Sequence, residues 1–500
     1  MKTKGMRHQI EALKRLADKQ AYGLLMEQGT GKTWVFLADA ERLYARGKID
    51  CLCIVAPRGV HTNWVRREIP KHFDVPCVAY AWDGKNTLKA DKERARLFEV
   101  AEGSKRCLRI MAINFDALIH KRGFDFARSF VRSGRCLLVI DESSRIKSPP
   151  KQAARTDACL LLKKDAEYRR IGTGTPITNA PQDIFYQFEF LESGLLETTS
   201  YRAFVAEYTK LLDDNHPLKR NIIAKNPRAQ WAQIAERDAI TGRPIYRNLD
   251  KLSALIERHS YRILKRDCLD LPPKVYKTIY FELTSKQQAA YRLMEKKFRM
   301  ELENGEIDTV AKLNAIAKLQ QITSGFLIGN DRKPFYVEKE GLPRLEALLE
   351  ANEDIDGSLI VWASFKEEIA HIGPALRKAG RKVVEYHGGT SAADREKAVD
   401  DFQEGRADCF LGHPAAGGIG ITLTAAQTAI YYSNSFMMET RAQSEDRNHR
   451  IGTTGTVTYL DILAQGTIDE VVYDSLFGKR NLAATILNDF TCLDKTRGAF

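Results

Sequence analysis

Ala21-Tyr22-Gly23-Leu24-Leu25-Met26, followed by Gln28-Gly29-Thr30-Gly31-Lys32-Thr33, is the stretch that decides the fold. Its mostly apolar first half reads as a buried strand, its glycines as a tight turn, and Lys32 to Leu43 as a helix with apolar spacing. In that setting the loop amides and the helix N-terminus point at anionic oxygens, so a phosphate chain is the implied ligand. Lys32 is placed to reach the β- and γ-phosphates and Thr33 to ligate Mg²⁺. Met26 stands where the stricter phosphate-loop pattern has its first glycine, so the shorter GxGKT form fits better. Taken alone, the same run is only a glycine-rich turn.

Outward from this loop the pattern repeats. Cys51 to Ala56, Leu108 to Ile113 and Cys136 to Ile140 are further apolar strands separated by helix-length segments, which is the grammar of a parallel sheet with crossover helices. From about 181 to 270 it changes to longer helical stretches with interleaved cations and aromatics, as in Leu218 to Trp231 and Leu252 to Arg266. This is expected to be a basic helical insertion in a first domain, 1–270. Leu271-Pro272-Pro273-Lys274 then punctuates the chain. Val275 to Leu283 reads as a strand and Lys286 to Leu302 as a helix. Strands return at Leu359 to Ala363, Lys382 to Tyr386, Asp408 to Leu411 and Thr428 to Tyr432, with a helix at Asp394 to Phe402. A second domain is expected over 271–475, with a helical insertion at about 284–340 and a tail, 476–500, packing on the rest. The fold class is therefore α/β, two parallel-sheet domains in tandem.

Composition agrees with a multidomain globule, since 500 residues exceed what one core usually supports. Lys and Arg number 77 against 65 Asp and Glu, a net +12 that favours polyanions such as nucleic acid. Nine cysteines, an odd set without CxxC pairs, read as reduced thiols of a cytoplasmic protein. Met1 to Glu11 lacks the apolar core of a signal peptide, and no run of about 18 apolar residues occurs, so no membrane partner is expected.

Asp141 and Glu142 emerge at the end of an apolar strand, where open sheets meet their ligands. Asp141 is the candidate Mg²⁺ holder and Glu142 the candidate polariser of an attacking water. Gly172-Thr173-Gly174-Thr175-Pro176 is dense in hydroxyls and turn formers; Thr173 and Thr175 are candidate couplers between nucleotide and track, or else plain turn caps. In the second half, Gly417-Gly418-Ile419-Gly420 allows backbone amides to approach a phosphate chain, with Gly420 the candidate contact. Arg447 and Arg450 are three apart, so on a helix both guanidinium groups share a side, with Gln443 one turn earlier. Arg450 is the candidate arginine finger and Arg447 its companion; the plainer reading is a solvated salt-bridging helix.

The order and wording of these runs resemble superfamily 2 helicases, in particular the Swi/Snf-type remodelling ATPase branch, from about Arg7 to about Glu470. Ile54-Val55-Ala56-Pro57 with Asn63-Trp64 carries the resemblance. So do Asp141-Glu142 with Ile146-Lys147, Thr173-Gly174-Thr175-Pro176-Ile177 with Asn179, Leu271-Pro272-Pro273-Lys274, Asp446-Arg447 with His449-Arg450-Ile451-Gly452, and Gly466-Thr467-Ile468-Asp469-Glu470.

The resemblance implies two RecA-like domains with ATP in the cleft and duplex DNA lying across both. Gln9 matches the glutamine that recognises adenine, and Gln28, Gly29, Thr30, Gly31, Lys32 and Thr33 the phosphate loop. His387-Gly388-Gly389 with Arg395 matches a DNA-contacting segment. Departures are Ser144 after the acidic pair, Ile421-Thr422 for leucine-asparagine, and Thr453 for the final glutamine.

The expected function is an ATP- and Mg²⁺-dependent motor, monomeric, stimulated by DNA held mainly through its phosphates. It would work in bacterial or virus-infected cytosol in replication, recombination or repair, with proteins of those pathways as partners. A strand-separating or branch-migrating helicase and a non-catalytic DNA-binding scaffold are the alternatives.

Overall fold

The computed structural model describes residues 1–102, 107–225, 233–239, 243–303, 309–329, 331–417 and 421–486. Met1–Asp270, with the chain from Arg480 on, make one compact unit, and Leu271–Lys479 the other.

The first unit is built on seven strands: β1 (Ala21–Met26), β2 (Cys51–Ala56), β3 (Cys77–Ala81), β4 (Leu108–Asn114), β5 (Cys136–Asp141), β6 (Tyr168–Gly172) and β7 (Ser260–Ile263). Their order is β3-β4-β2-β5-β6-β1-β7, parallel throughout. Every residue of β2 and β5 is buried. A parallel sheet is covered on both faces, which is why its strands read as unbroken apolar runs. One face packs Leu25, Val55, Leu138 and Ile140 against Phe130 and Phe188; the other packs Leu24, Ile54, Leu137 and Val139 against Val35 and Phe36 of the helix that follows β1.

Segment 181–270 is partly woven into this unit. The helix Phe185–Leu191 buries Phe185, Phe188, Phe190 and Leu191 in its core. Leu252 to Arg266 is not one helix. The helix Leu249–His259 ends at Ser260, and the chain continues as β7 against β1, pairing Gly23 with Ser260 and Met26 with Ile263. Sheet hydrogen bonds outweigh helical spacing here, and Gly23 makes room, since a Cβ there would lie 3.1 Å from the Ser260 Cβ. Of Leu218 to Trp231, a helix covers Pro217–Lys225 and the remainder lies outside the described residues.

The second unit repeats the architecture. β8 (Lys274–Phe281), β11 (Leu359–Trp362), β12 (Val383–Tyr386), β13 (Cys409–Gly412), β14 (Thr428–Tyr431) and β15 (Val457–Ala464) form a sheet ordered β12-β13-β11-β14-β15-β8, also parallel. Between β8 and β11 lie the helices Ser285–Glu303 and Thr309–Thr323 and a small antiparallel pair, β9 (Phe326–Ile328) and β10 (Pro334–Tyr336). The last helix is Ile468–Ile486, whose Leu482 lies against the first unit's core; of the expected tail, 487–500 fall outside the described residues. Among the described residues no helix is long and apolar enough to cross a membrane.

Candidate functional site

In the first unit, β1 delivers the phosphate loop from between β6 and the edge strand β7. Gly29 and Gly31 take φ of +82° and +83°, a left-handed turn that suits glycine. Gly31 is needed for space as well, because a Cβ there would lie 2.0 Å from Gln9 Nε2. The first helix, α1 (Arg7–Leu16), is clasped to this turn. Gln9 Nε2 donates to Thr30 O at 3.2 Å while its Oε1 accepts from Met6 N at 2.8 Å. His8 Nε2 lies 2.8 Å from Thr30 O; a carbonyl only accepts, so that nitrogen carries the proton.

The next helix, α2 (Lys32–Ala45), starts directly after the turn. Lys32, 8% exposed, donates from Nζ to Met26 O at 2.9 Å and Glu27 O at 3.4 Å. Thr33 is the next residue of α2, and Thr30 Oγ1 donates back to Glu27 O at 2.7 Å.

The acidic pair closes the same site from β5. Asp141 is buried, and that burial pushes its pKa above the ordinary carboxylate range, against the pull of the Trp64 indole and the Lys32 charge. Trp64 Nε1 donates to Asp141 Oδ2 at 2.9 Å. Glu142 sits at φ +60°, an unusual conformation for a residue with a Cβ. Its oxygens accept from Gln28 Nε2 at 3.3 Å and Thr173 Oγ1 at 3.4 Å. Thr173 Oγ1 also accepts from Thr175 N at 3.1 Å, so both threonines share one turn. Gly174 packs on the phosphate loop so closely that a Cβ would meet Gln28 N at 2.8 Å.

The structure thus brings Gln9, Gln28, Gly29, Thr30, Gly31, Lys32, Asp141, Glu142, Thr173 and Thr175 into one connected network. Asp141 is an oxygen ligand of the kind a hard cation takes, and the neighbouring Lys32 charge matches the phosphate chain that would carry it.

In the second unit the helix Met438–Glu445 carries Gln443, whose Nε2 donates to Glu439 Oε1 at 3.2 Å. Arg447 and Arg450 do not continue that helix as their spacing suggested; it ends at Glu445 and both lie in the following turn. The turn nevertheless aims them together. Arg447 Nη1 donates to Ile421 O at 3.4 Å, and Arg450 Nη1 to the same oxygen at 3.3 Å and to Thr422 Oγ1 at 3.0 Å. Thr453 Oγ1 ties the turn, donating to Asn448 O at 2.7 Å and accepting from Arg450 N at 3.2 Å. Gly420 lies outside the described residues. After β12, Arg395 on the helix Ala392–Gln403 donates from Nη2 to Gly388 O at 3.1 Å.

Several participants were given no role by sequence reasoning. His8 and Trp64 touch the loop and the acid directly; Trp64 lay inside a recognised stretch, but nothing in the chain order pairs it with Asp141. Arg262 on β7 donates from Nη1 to Leu25 O at 2.9 Å and Gly174 O at 3.2 Å, bridging the strand before the phosphate loop and the Thr173 turn. Lys265 N donates to Glu27 Oε2 at 2.8 Å.

Comparison with known proteins gives these arrangements a context. Residues 8–325 match the SNF2-related domain, and residues 341–452 the helicase conserved C-terminal domain. The chromodomain-helicase-DNA-binding protein 1-like of Danio rerio is 22% identical, with 98% of this chain and 45% of that protein covered. The TATA-binding protein-associated factor MOT1 of Saccharomyces cerevisiae is 26% identical, with 70% of this chain and 20% of that protein covered. An uncharacterised ATP-dependent helicase of Mycoplasma genitalium is 24% identical, with 93% and 40% covered. The chain spans less than half the length of each of these relatives. Among solved structures, the Sulfolobus solfataricus SWI2/SNF2 ATPase core in complex with dsDNA aligns over 98% of this chain and 94% of that chain, with 20% identity and a TM-score of 0.40.

Proposed function

The chain belongs to the SNF2-related domain family, and from that premise we propose that it is an ATP-hydrolysing, Mg²⁺-dependent motor that acts on DNA, duplex preferred. The observation that carries the reading is the single network joining Lys32, Asp141, Glu142 and Thr173 around a left-handed glycine turn.

Bound Mg²⁺ supplies the Lewis acidity that neutralises charge on the transferred phosphoryl group. Thr33 and Asp141 are its proposed holders. The chain's own work is positioning. Lys32 exchanges its two carbonyl partners for phosphate oxygens, Gln28 and the loop amides orient the chain of phosphates, and Glu142 orients the attacking water. Thr173 reports the state of Glu142 to the neighbouring turn. Arg447 and Arg450 supply positive charge to the leaving phosphate during turnover, and Gln443 accompanies them as a coupling residue. Gln9 contacts the base. DNA is held mainly through phosphates, so little sequence preference is expected.

We place the work in replication, recombination or repair, carried out by a monomer in a reducing, cytoplasmic compartment. The deciding experiment is phosphate release with and without duplex DNA. Stimulation in the wild type, and loss of turnover by at least about 100-fold in Lys32→Ala and in Glu142→Gln, is the expected result. Full DNA-stimulated turnover in either variant defeats the assignment. Strand displacement on forked against plain duplexes separates translocation from unwinding or branch migration.

A further inference from the structure

Just before the arginine turn lies a buried cluster of charges that the proposed chemistry does not itself use. Arg441 sits on the helix Met438–Glu445 with its guanidinium carbon 3.4 Å above the centre of the Tyr431 ring. It donates from Nη1 and Nη2 to the two oxygens of Asp461 at 2.5 and 3.0 Å, and from Nε to Glu445 Oε1 at 2.9 Å. Asp461 is wholly buried on β15 and also accepts from Asn434 Nδ2 at 2.7 Å. The second oxygen of Glu445 accepts from Tyr276 OH at 2.7 Å and Lys274 Nζ at 3.2 Å, both on β8. Arg441 and Lys274 thus face the carboxylates of Asp461 and Glu445 inside one domain, with Asp446 3.9 Å from Lys274 Nζ as well. Past Glu445, Tyr459 OH donates to Glu445 O at 2.9 Å and lies 3.3 Å from Asn448 Oδ1, so the clamp runs straight into the turn.

Desolvating such charges returns little net stability, and well-packed apolar side chains would serve the fold as well. The cluster does specify direction: it pins the last turn of a short helix to three strands, and the chain leaves that helix into Arg447 and Arg450. We propose that Arg441 is a positioning residue, whose grip on Asp461 and Glu445 sets the exit of the chain so that both arginines are held in productive register. The inference rests on the arginine roles proposed above.

The test uses the full chain with three variants: the paired replacement Arg441→Leu with Asp461→Leu, the single Arg441→Lys, and Arg450→Ala. The paired variant removes both charges together and leaves Glu445 with Tyr276 and Lys274. It leaves Asn434 without its two side-chain partners, so some loss of melting temperature is expected. It is expected to stay folded with the wild-type KM for ATP, to lose kcat by about 10- to 100-fold through misplacement, and to exchange the amides of 446–450 faster than wild type. Arg441→Lys keeps the charge but loses the planar fork, and is expected to show a smaller fall in kcat at unchanged KM.

Unchanged amide exchange in the paired variant overturns the clamp, whatever the activity. Wild-type kcat in a folded paired variant, with Arg450→Ala inactive, overturns the positioning role, as does a rise in KM at constant kcat. If the paired variant does not fold, Arg441→Lys decides by the same split. Wild-type turnover in Arg450→Ala instead defeats the proposed role of that arginine, and amide exchange then judges the clamp alone.

Discussion

The phosphate loop of the first unit and the arginine turn of the second are held by opposite means. Around Lys32 the hydrogen-bond partners are main-chain carbonyls, the shape comes from glycines with positive φ, and the carboxylate of Asp141 has its pKa raised by burial. Around Arg447 the chain leaves a short helix anchored by buried ion pairs that satisfy one another. The contrast separates two jobs. In the proposed roles, the receiving loop holds its lysine on main-chain carbonyls that a phosphate chain can replace, whereas the presenting turn follows a helix stiffened by paired charges.

The largest expected effect tests the presenting side. Arg450→Ala should lower kcat by about 10³-fold or more at nearly unchanged ATP affinity, measured by steady-state phosphate release beside a nucleotide titration. A loss of affinity with intact kcat would make the two regions alike, both binding elements.

Gly31→Ala tests the receiving side. Left-handed strain of about 1–2 kcal/mol, plus the encounter with Gln9 Nε2, should weaken ATP binding by roughly 10-fold or more. Gln9→Ala alone should measure the base contact, and in the Gly31→Ala chain it should relieve the steric share while leaving the strain and that lost contact. Equal affinity in Gly31→Ala would show that the turn's shape is not what receives phosphate.

Trp64→Phe removes the one indole donor to Asp141 and should cost about 1 kcal/mol in urea unfolding.

The smallest effect is a pH slope. Because the folded pKa of Asp141 lies above its unfolded value, the folded state binds more protons across that window, and stability falls as pH rises from the ordinary carboxylate range through the raised pKa. Without ligand, Asp141→Asn should flatten that part of the profile and melt higher at neutral pH. Profiles that coincide would mean that the buried carboxylate carries no cost awaiting a cation.

The contrast also explains what could be read from the chain. β2 and β5 were legible because burial on both faces leaves apolar runs with few alternatives, and the phosphate loop because its parts are contiguous. β7 was not. Ser260-Tyr261-Arg262-Ile263 follows a helix, is short and carries a cation, and becomes a strand only through pairing with β1. β15 was also missed, although it is eight residues long, because Asp461 interrupts its apolar character and is satisfied by Arg441 and Asn434 far along the chain. For the arginines the spacing gave the right grouping on the wrong local structure: a turn brings the two side chains to Ile421 O where a continued helix was read.

The position of β7 bears on biosynthesis. It is the last strand of its sheet to leave the ribosome, yet it covers the open side of β1, supplies Arg262 to the phosphate-loop strand and leads into the Lys265 amide that holds Glu27. A nascent chain halted before residue 260 therefore exposes the edge of β1 and lacks two supports of the segment around the glycine turn. Such a late, non-local pairing slows folding and leaves an unpaired edge open to aggregation. Chaperone dependence should accordingly concentrate in the interval between translation of β6 and translation of β7.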